Sequence, residues 1–203
     1  TRAAKPDMFE KRRIVHFPKG VKEKTFTFDS VIPKGIVAAF WPTCDMWDIS
    51  RTRRLTVLSR ILDERLRVKL REELGAAYSP FAYNASSEAY KDYGYMAAGF
   101  VASPDGAGKM ADLVVSIAAE LSEKGTNEDE LNRVKTPFAT RLEQVVRDNG
   151  YWLNNVMAPS FEYPIRLKWA RNMLPDIKAI RLDEINTLAK EYLNKDTALK
   201  VLV

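Results

Sequence analysis

Four residues have side chains and positions suited to chemistry: His16, Cys44, Arg71 and Tyr78. His16 and Cys44 are the single histidine and the single cysteine of the sequence. A catalytic zinc takes three protein ligands and keeps one position open, with His and Cys the usual donors beside carboxylates. One of each, never at helical i, i+4 spacing, proposes no metal site. His16 lies between Val15 and Phe17 and reads as a strand histidine at the border of a sheet. Cys44 reads as a small, partly buried apolar residue, because a nucleophilic thiol needs a base and the lone histidine has no evident tie to it. The chain has neither a Gly-rich phosphate loop nor a Gly-x-Ser-x-Gly elbow.

Arg71 and Tyr78 stand seven residues apart in Leu70-Arg71-Glu72-Glu73-Leu74-Gly75-Ala76-Ala77-Tyr78-Ser79-Pro80. This stretch closes an amphipathic helix and turns into a strand, with Gly75 placed to reverse the chain between the two side chains. A guanidinium there offers fixed donors to peptide carbonyls or a carboxylate. A phenol offers one donor to a substrate carbonyl or its developing oxyanion. Each residue also has a plain structural reading: Arg71 is favourable near a helix C-terminus because of the helix dipole, and Tyr78 fits a half-buried strand position.

The elements that must hold these residues follow from periodicity. Residues 1–10 read as a loose leader. Arg12 to Phe17 and Lys24 to Asp29 read as short strands, separated by a Pro18-Lys19-Gly20 turn. Ile36 to Pro42 is a nearly continuous apolar run of strand length. Leu55, Leu58, Leu62, Leu66 and Leu70 recur at three- and four-residue spacing and predict one long helix over 49–74, with Asp48 or Ser50 as its cap. Tyr78 to Ala85 and Tyr93 to Ala102 predict a hairpin. A second helix runs from about Met110 to Gly125, and a third opens at Thr126 and Asn127, where Asp129 and Glu130 suit its positive end. Pro137 inside the third pattern predicts a kink or a split. Helical pieces at 151–157, 163–173 and 182–193 precede a closing strand at 198–203. This order predicts an α+β fold, a mostly antiparallel sheet with helices on one face, in one domain over 1–203.

Composition sets the outer bounds. A hydrophobic fraction of 46% in 203 residues suits a globular chain that builds a full core without disulfides. The net charge of +5 is dispersed among acidic neighbours, so a solvated mixed surface fits better than a nucleic-acid footprint. No apolar run reaches the length of a membrane span. The chain starts without Met or a secretory signal, which suggests a segment of a longer polypeptide.

Three stretches carry a family resemblance. Leu70-Arg71-Glu72, Leu74-Gly75 and Ala77-Tyr78-Ser79 resemble a stretch in the inactive half of the pitrilysin/insulinase (M16) zinc metallopeptidases. There a long helix ends in Leu-Arg-Glu, followed by Leu-Gly or Gly-Leu and then Ala-Tyr-Ser. Ile61-Leu62-Asp63-Glu64-Arg65-Leu66 is similar to that family's Ile-Leu-x-x-Arg-Leu, and Gly125 to Leu131 to its Gly-x-Thr-x-x-Glu-Leu helix opening. The stretches fall in order within roughly 31–146. His-x-x-Glu-His, the zinc motif of the catalytic half, is missing. The resemblance therefore implies the inactive partner half of a zinc metalloendopeptidase. That half binds no zinc itself; the zinc belongs to a catalytic half that the resemblance places on the same polypeptide. It implies that Arg71 and Tyr78 bind substrate peptide in a shared chamber, with no nucleic acid and no membrane span involved. Bacterial relatives with signal peptides are periplasmic, and any such peptide would lie upstream. The alternative is a non-catalytic structural or protein-interaction module of the same fold.

Overall fold

A computed structural model describes residues 10–18, 22–29, 34–74, 79–102 and 106–203. The apolar run at Ile36 forms β2 (Gly35–Thr43), near the middle of a five-stranded sheet. The strand order is β1-β5-β2-β4-β3, with β1 (Lys22–Thr25), β3 (Pro80–Ser86), β4 (Gly94–Ala102) and β5 (Leu199–Leu202). β2 pairs antiparallel with β4 along its whole length and with β5 on its other side. β3 and β4 form the expected hairpin, and β1 runs parallel to β5. The sheet is thus mixed but mostly antiparallel.

Alternation along the strands assigns the two faces. Val37, Ala39 and Trp41 of β2, with Met96, Ala98 and Phe100 of β4, are buried on the helical side. α1 (Ile49–Leu74) and α2 (Ala107–Lys124) pack on that side. The α1 stripe Leu55, Leu58, Leu62, Leu66 and Leu70 is fully buried, as its spacing predicts. Asp48 rather than Ser50 caps α1, its Oδ1 accepting from Arg51 N–H at 3.0 Å. The Ser50 hydroxyl is drawn instead into an interhelical network with Arg54 and Asp176.

Four further helices complete the layer: α3 (Glu128–Val145), the single turn α4 (Ala158–Ser160), α5 (Ile165–Lys178) and α6 (Leu182–Tyr192). Gly125 ends α2 at φ +72°, a conformation that a side chain would strain and that brings Asn186 close. Asn127 then caps α3 by accepting from Glu130 N–H at 2.9 Å. Arg53 and Arg54 of α1 meet Asp176 of α5 at 2.8 and 3.0 Å, and Arg54 also meets Glu184 of α6 at 2.9 Å. These half-buried pairs fix three helices against each other.

Several boundaries depart from expectation. Arg12 to Phe17 is not a strand: Glu10–Arg13 is a 3-10 turn and 14–18 has no regular element, so His16 is exposed and unladdered. A strand needs a neighbour for its backbone groups, and among the described residues 14–18 forms a ladder with none. β1 ends at Thr25 instead of continuing to Asp29, because β5 offers it only four ladder partners. Phe26 and Phe28 are consequently exposed. α3 is not split at Pro137, whose ring faces solvent together with Arg133, where water can satisfy the freed carbonyl. α5 runs on through Pro175 to Lys178. Tyr151–Met157 is a π-helical turn.

Candidate functional site

α1 contains seven arginines: 51, 53, 54, 60, 65, 67 and 71. Six of them engage described residues. Arg51 donates to the Tyr192 hydroxyl at 3.0 Å, Arg53 and Arg54 hold Asp176, and Arg60 lies 4.1 Å over the Phe138 ring. Arg65 holds Glu130 at 2.7 Å, and Arg67 holds Glu64. Arg71, in the last turn of α1, is exposed and has no hydrogen bond or ion pair to a described residue. Tyr78, with Gly75 to Ala77, lies outside the described residues.

The sheet carries an aromatic surface. On the face away from the helices, Phe40 and Tyr95 have ring centroids 5.7 Å apart, Tyr95 and Tyr83 6.3 Å, and Tyr83 and Phe81 6.0 Å. The four rings run across β2, β4 and β3, the strand that follows Tyr78. Gly99 permits the arrangement: a Cβ there would stand 3.1 Å from the Phe81 ring and 2.1 Å from the Val37 carbonyl oxygen. Tyr83 is 46% exposed, so the surface is open to a partner or ligand. Burial among its neighbours and the adjoining Tyr95 push the Tyr83 hydroxyl pKa up, so it stays a neutral donor. The period-two placement of Phe81 and Tyr83 opposite Tyr95 is the sequence signal for this face.

β3 is an edge strand, and α1 closes part of its free edge. Asp63 accepts a hydrogen bond from Ala82 N–H, and burial raises the Asp63 pKa despite that bond. Such a cap discourages unwanted strand addition. Arg71 lies eight residues further along α1, about 12 Å along its axis.

The other two resembling stretches meet each other in a structural role. Arg65 donates from Nε to Glu130 Oε1 at 2.7 Å and from Nη2 to the Gly125 carbonyl at 2.7 Å. The Thr126 hydroxyl also donates to Glu130, and Asn186 Oδ1 accepts from Thr126 N–H at 2.7 Å. Burial works to raise the Glu130 pKa, but the bonds from Arg65 and Thr126 outweigh it and hold the pKa low. The cluster locks the α2–α3 turn onto α1.

Cys44 is half-buried, and burial raises its thiol pKa against a hydrogen bond from Tyr192. Burial likewise pushes the Tyr192 hydroxyl up, so the pair offers no base to activate the thiol. Among the described residues, no group of three or more His, Cys, Asp or Glu is placed to hold a metal ion. Among the described helices, none is long and apolar enough to cross a membrane.

Residues 5–138 match the family model described as the peptidase M16 inactive domain, and the chain belongs to that family. Solved structures share the fold. A peptidase M16 inactive domain from Pseudomonas fluorescens superposes with a TM-score of 0.74 at 17% identity, over 93% of this chain and 45% of its own. The periplasmic protease PqqL from Escherichia coli gives 0.73 at 18% identity, over 92% of this chain and 21% of its own. The inactive peptidase domain of a zinc protease from Bordetella parapertussis gives 0.68 at 16% identity, over 88% of this chain and 96% of its own. The chain thus spans about a fifth of PqqL, under half of the Pseudomonas chain and nearly all of the Bordetella domain. No curated protein matches the sequence.

Proposed function

We propose that this chain is the non-catalytic partner half of a zinc metalloendopeptidase. It forms one wall of a peptide-holding chamber and contributes Arg71 and Tyr78 to peptide binding. The match to the M16 inactive-domain family supports the partner role. The observation that carries the site is the free guanidinium of Arg71, the one arginine of α1 with no partner among the described residues. An exposed Arg with no partner among the described residues, on a domain whose sheet also carries an open aromatic face, suits an extended peptide: the guanidinium takes carbonyl or carboxylate oxygens, and the rings take side chains. Zinc and its general base come from the other half, on the same polypeptide or a separate one. Tyr78 is the second donor of the proposal, a phenol seven residues on in the sequence.

The test is reconstitution. The chain alone should leave a fluorogenic peptide uncleaved, and adding or fusing the half that bears His-x-x-Glu-His should give chelator-sensitive cleavage. Full activity of that half without this chain would move the reading to an interaction module. Cleavage by this chain alone would contradict the proposal.

A further inference from the structure

An open cavity of about 640 Å³ lies between α3 and the turn that joins α5 to α6. Residues 178–183 of that turn make one wall, and Glu128 and Lys135 of α3 stand on the other. Seven residues are two helical turns, so the two side chains leave the same face of α3, about 10 Å apart along its axis. The floor is apolar, with Ile180 buried and Leu182 half-buried.

The other polar groups around the cavity are matched. Lys178 Nζ holds Glu143 at 2.7 Å, and Arg181 Nη2 holds Asp183 at 3.0 Å. Asn186 is engaged at both ends of its amide by the Thr126 backbone. Two opposite charges are left. Lys135 is half-buried, and its ammonium, with three donors, donates to the Ile180 carbonyl at 3.0 Å and to no carboxylate of a described residue. The Glu128 carboxylate is exposed and has no hydrogen bond or ion pair to a described residue. A simple anion on Lys135 would leave Glu128 uncompensated beside it, and a simple cation on Glu128 would leave Lys135 so. A molecule with a carboxylate at one end and an ammonium at the other satisfies both. At about 3.4 Å per extended residue, two or three residues match the spacing. We propose that this cavity binds a zwitterionic peptide of two or three residues, its C-terminal carboxylate on Lys135, its N-terminal ammonium on Glu128 and a small apolar side chain over Ile180 and Leu182. The site is independent of Arg71 and of the proposed peptidase role.

The probe is trialanine, titrated into the 203-residue chain near neutral pH. N-acetyl-trialanine, without the ammonium, and trialanine amide, without the carboxylate, are titrated beside it. The backbone amide signals of Lys135, Ala179 and Leu182 should shift saturably, with a dissociation constant of about 1 mM or tighter. Each blocked form should bind at least roughly fivefold more weakly. Glu128→Gln, at an exposed position, should weaken trialanine by about the same factor and leave the N-acetyl form no weaker. Lys135→Met should weaken trialanine likewise; if that variant misfolds, trialanine amide tests the carboxylate end on the unaltered chain. No saturable shift up to about 20 mM trialanine, or shifts confined to residues elsewhere, would overturn the site. A blocked form binding as tightly as trialanine would overturn the two-ended recognition.

Discussion

Glu130 is a buried carboxylate and Asp63 a partly buried one, both on the helical side, and their surroundings give them opposite signs. Glu130 has Arg65 and Thr126 as donors, and its pKa in the fold lies below the ordinary value. The stability it contributes is therefore present above the ordinary glutamate range and lost as pH falls through the depressed pKa. Glu130→Ala should destabilise the fold by about 3 kcal/mol at neutral pH, since Arg65 is left half-buried without its partner. For a chain of this size that lowers Tm by roughly 10 °C. The gap from the parent should narrow in melts taken at progressively lower pH. Asp63 runs the other way: burial raises its pKa, so its charged form costs stability above the raised pKa and the cost fades as pH falls through it. Asp63→Asn keeps an acceptor for Ala82 N–H and removes the charge. Its Tm should exceed the parent's at pH 7 and converge with it below the ordinary aspartate range; a lower Tm at pH 7 would show that the charge serves the fold.

At the scale of elements, the helical stripes and the β3–β4 hairpin survived, and the strand at Arg12 to Phe17 did not. The leucines of α1 lie where their spacing puts them, because a stripe on a 3.6-residue helix is a local property that packing then buries. Arg12 to Phe17 has strand-like residues, yet a strand is made by its neighbour, and the sequence does not say that β5 will pair with Lys22–Thr25 instead. Pro137 reads as a break in one dimension; in three dimensions it falls on the wet side of α3, and the helix continues. Because that helix runs through a residue lacking an N–H, Pro137→Ala should stabilise the fold by about 2 kcal/mol, read as a shift of the urea midpoint without a change in slope. A drop in midpoint would mean that the proline is needed where it stands.

For the whole molecule, the α+β architecture and the family were legible because three motifs stand in order and one is missing. Two of those motifs prove structural, Arg65 and Glu130 meeting across the α2–α3 turn, and only the third reaches solvent at Arg71. The aromatic face and the helical cavity were not legible, since both arise from residues far apart in the chain. If the open face is a chamber wall, Tyr83→Glu should raise KM for apolar peptides several-fold in the reconstituted enzyme while leaving Tm within about 1 °C, because the residue is half exposed. An unchanged KM would remove the face from the substrate path. The central claim rests on Arg71. Its most direct test is Arg71→Ala in the reconstituted enzyme, with kcat/KM and bound zinc measured on the same sample. The account predicts a fall in kcat/KM of roughly a hundredfold with zinc content and Tm unchanged, the loss of a charge-assisted contact to substrate. Unaltered kcat/KM would contradict it.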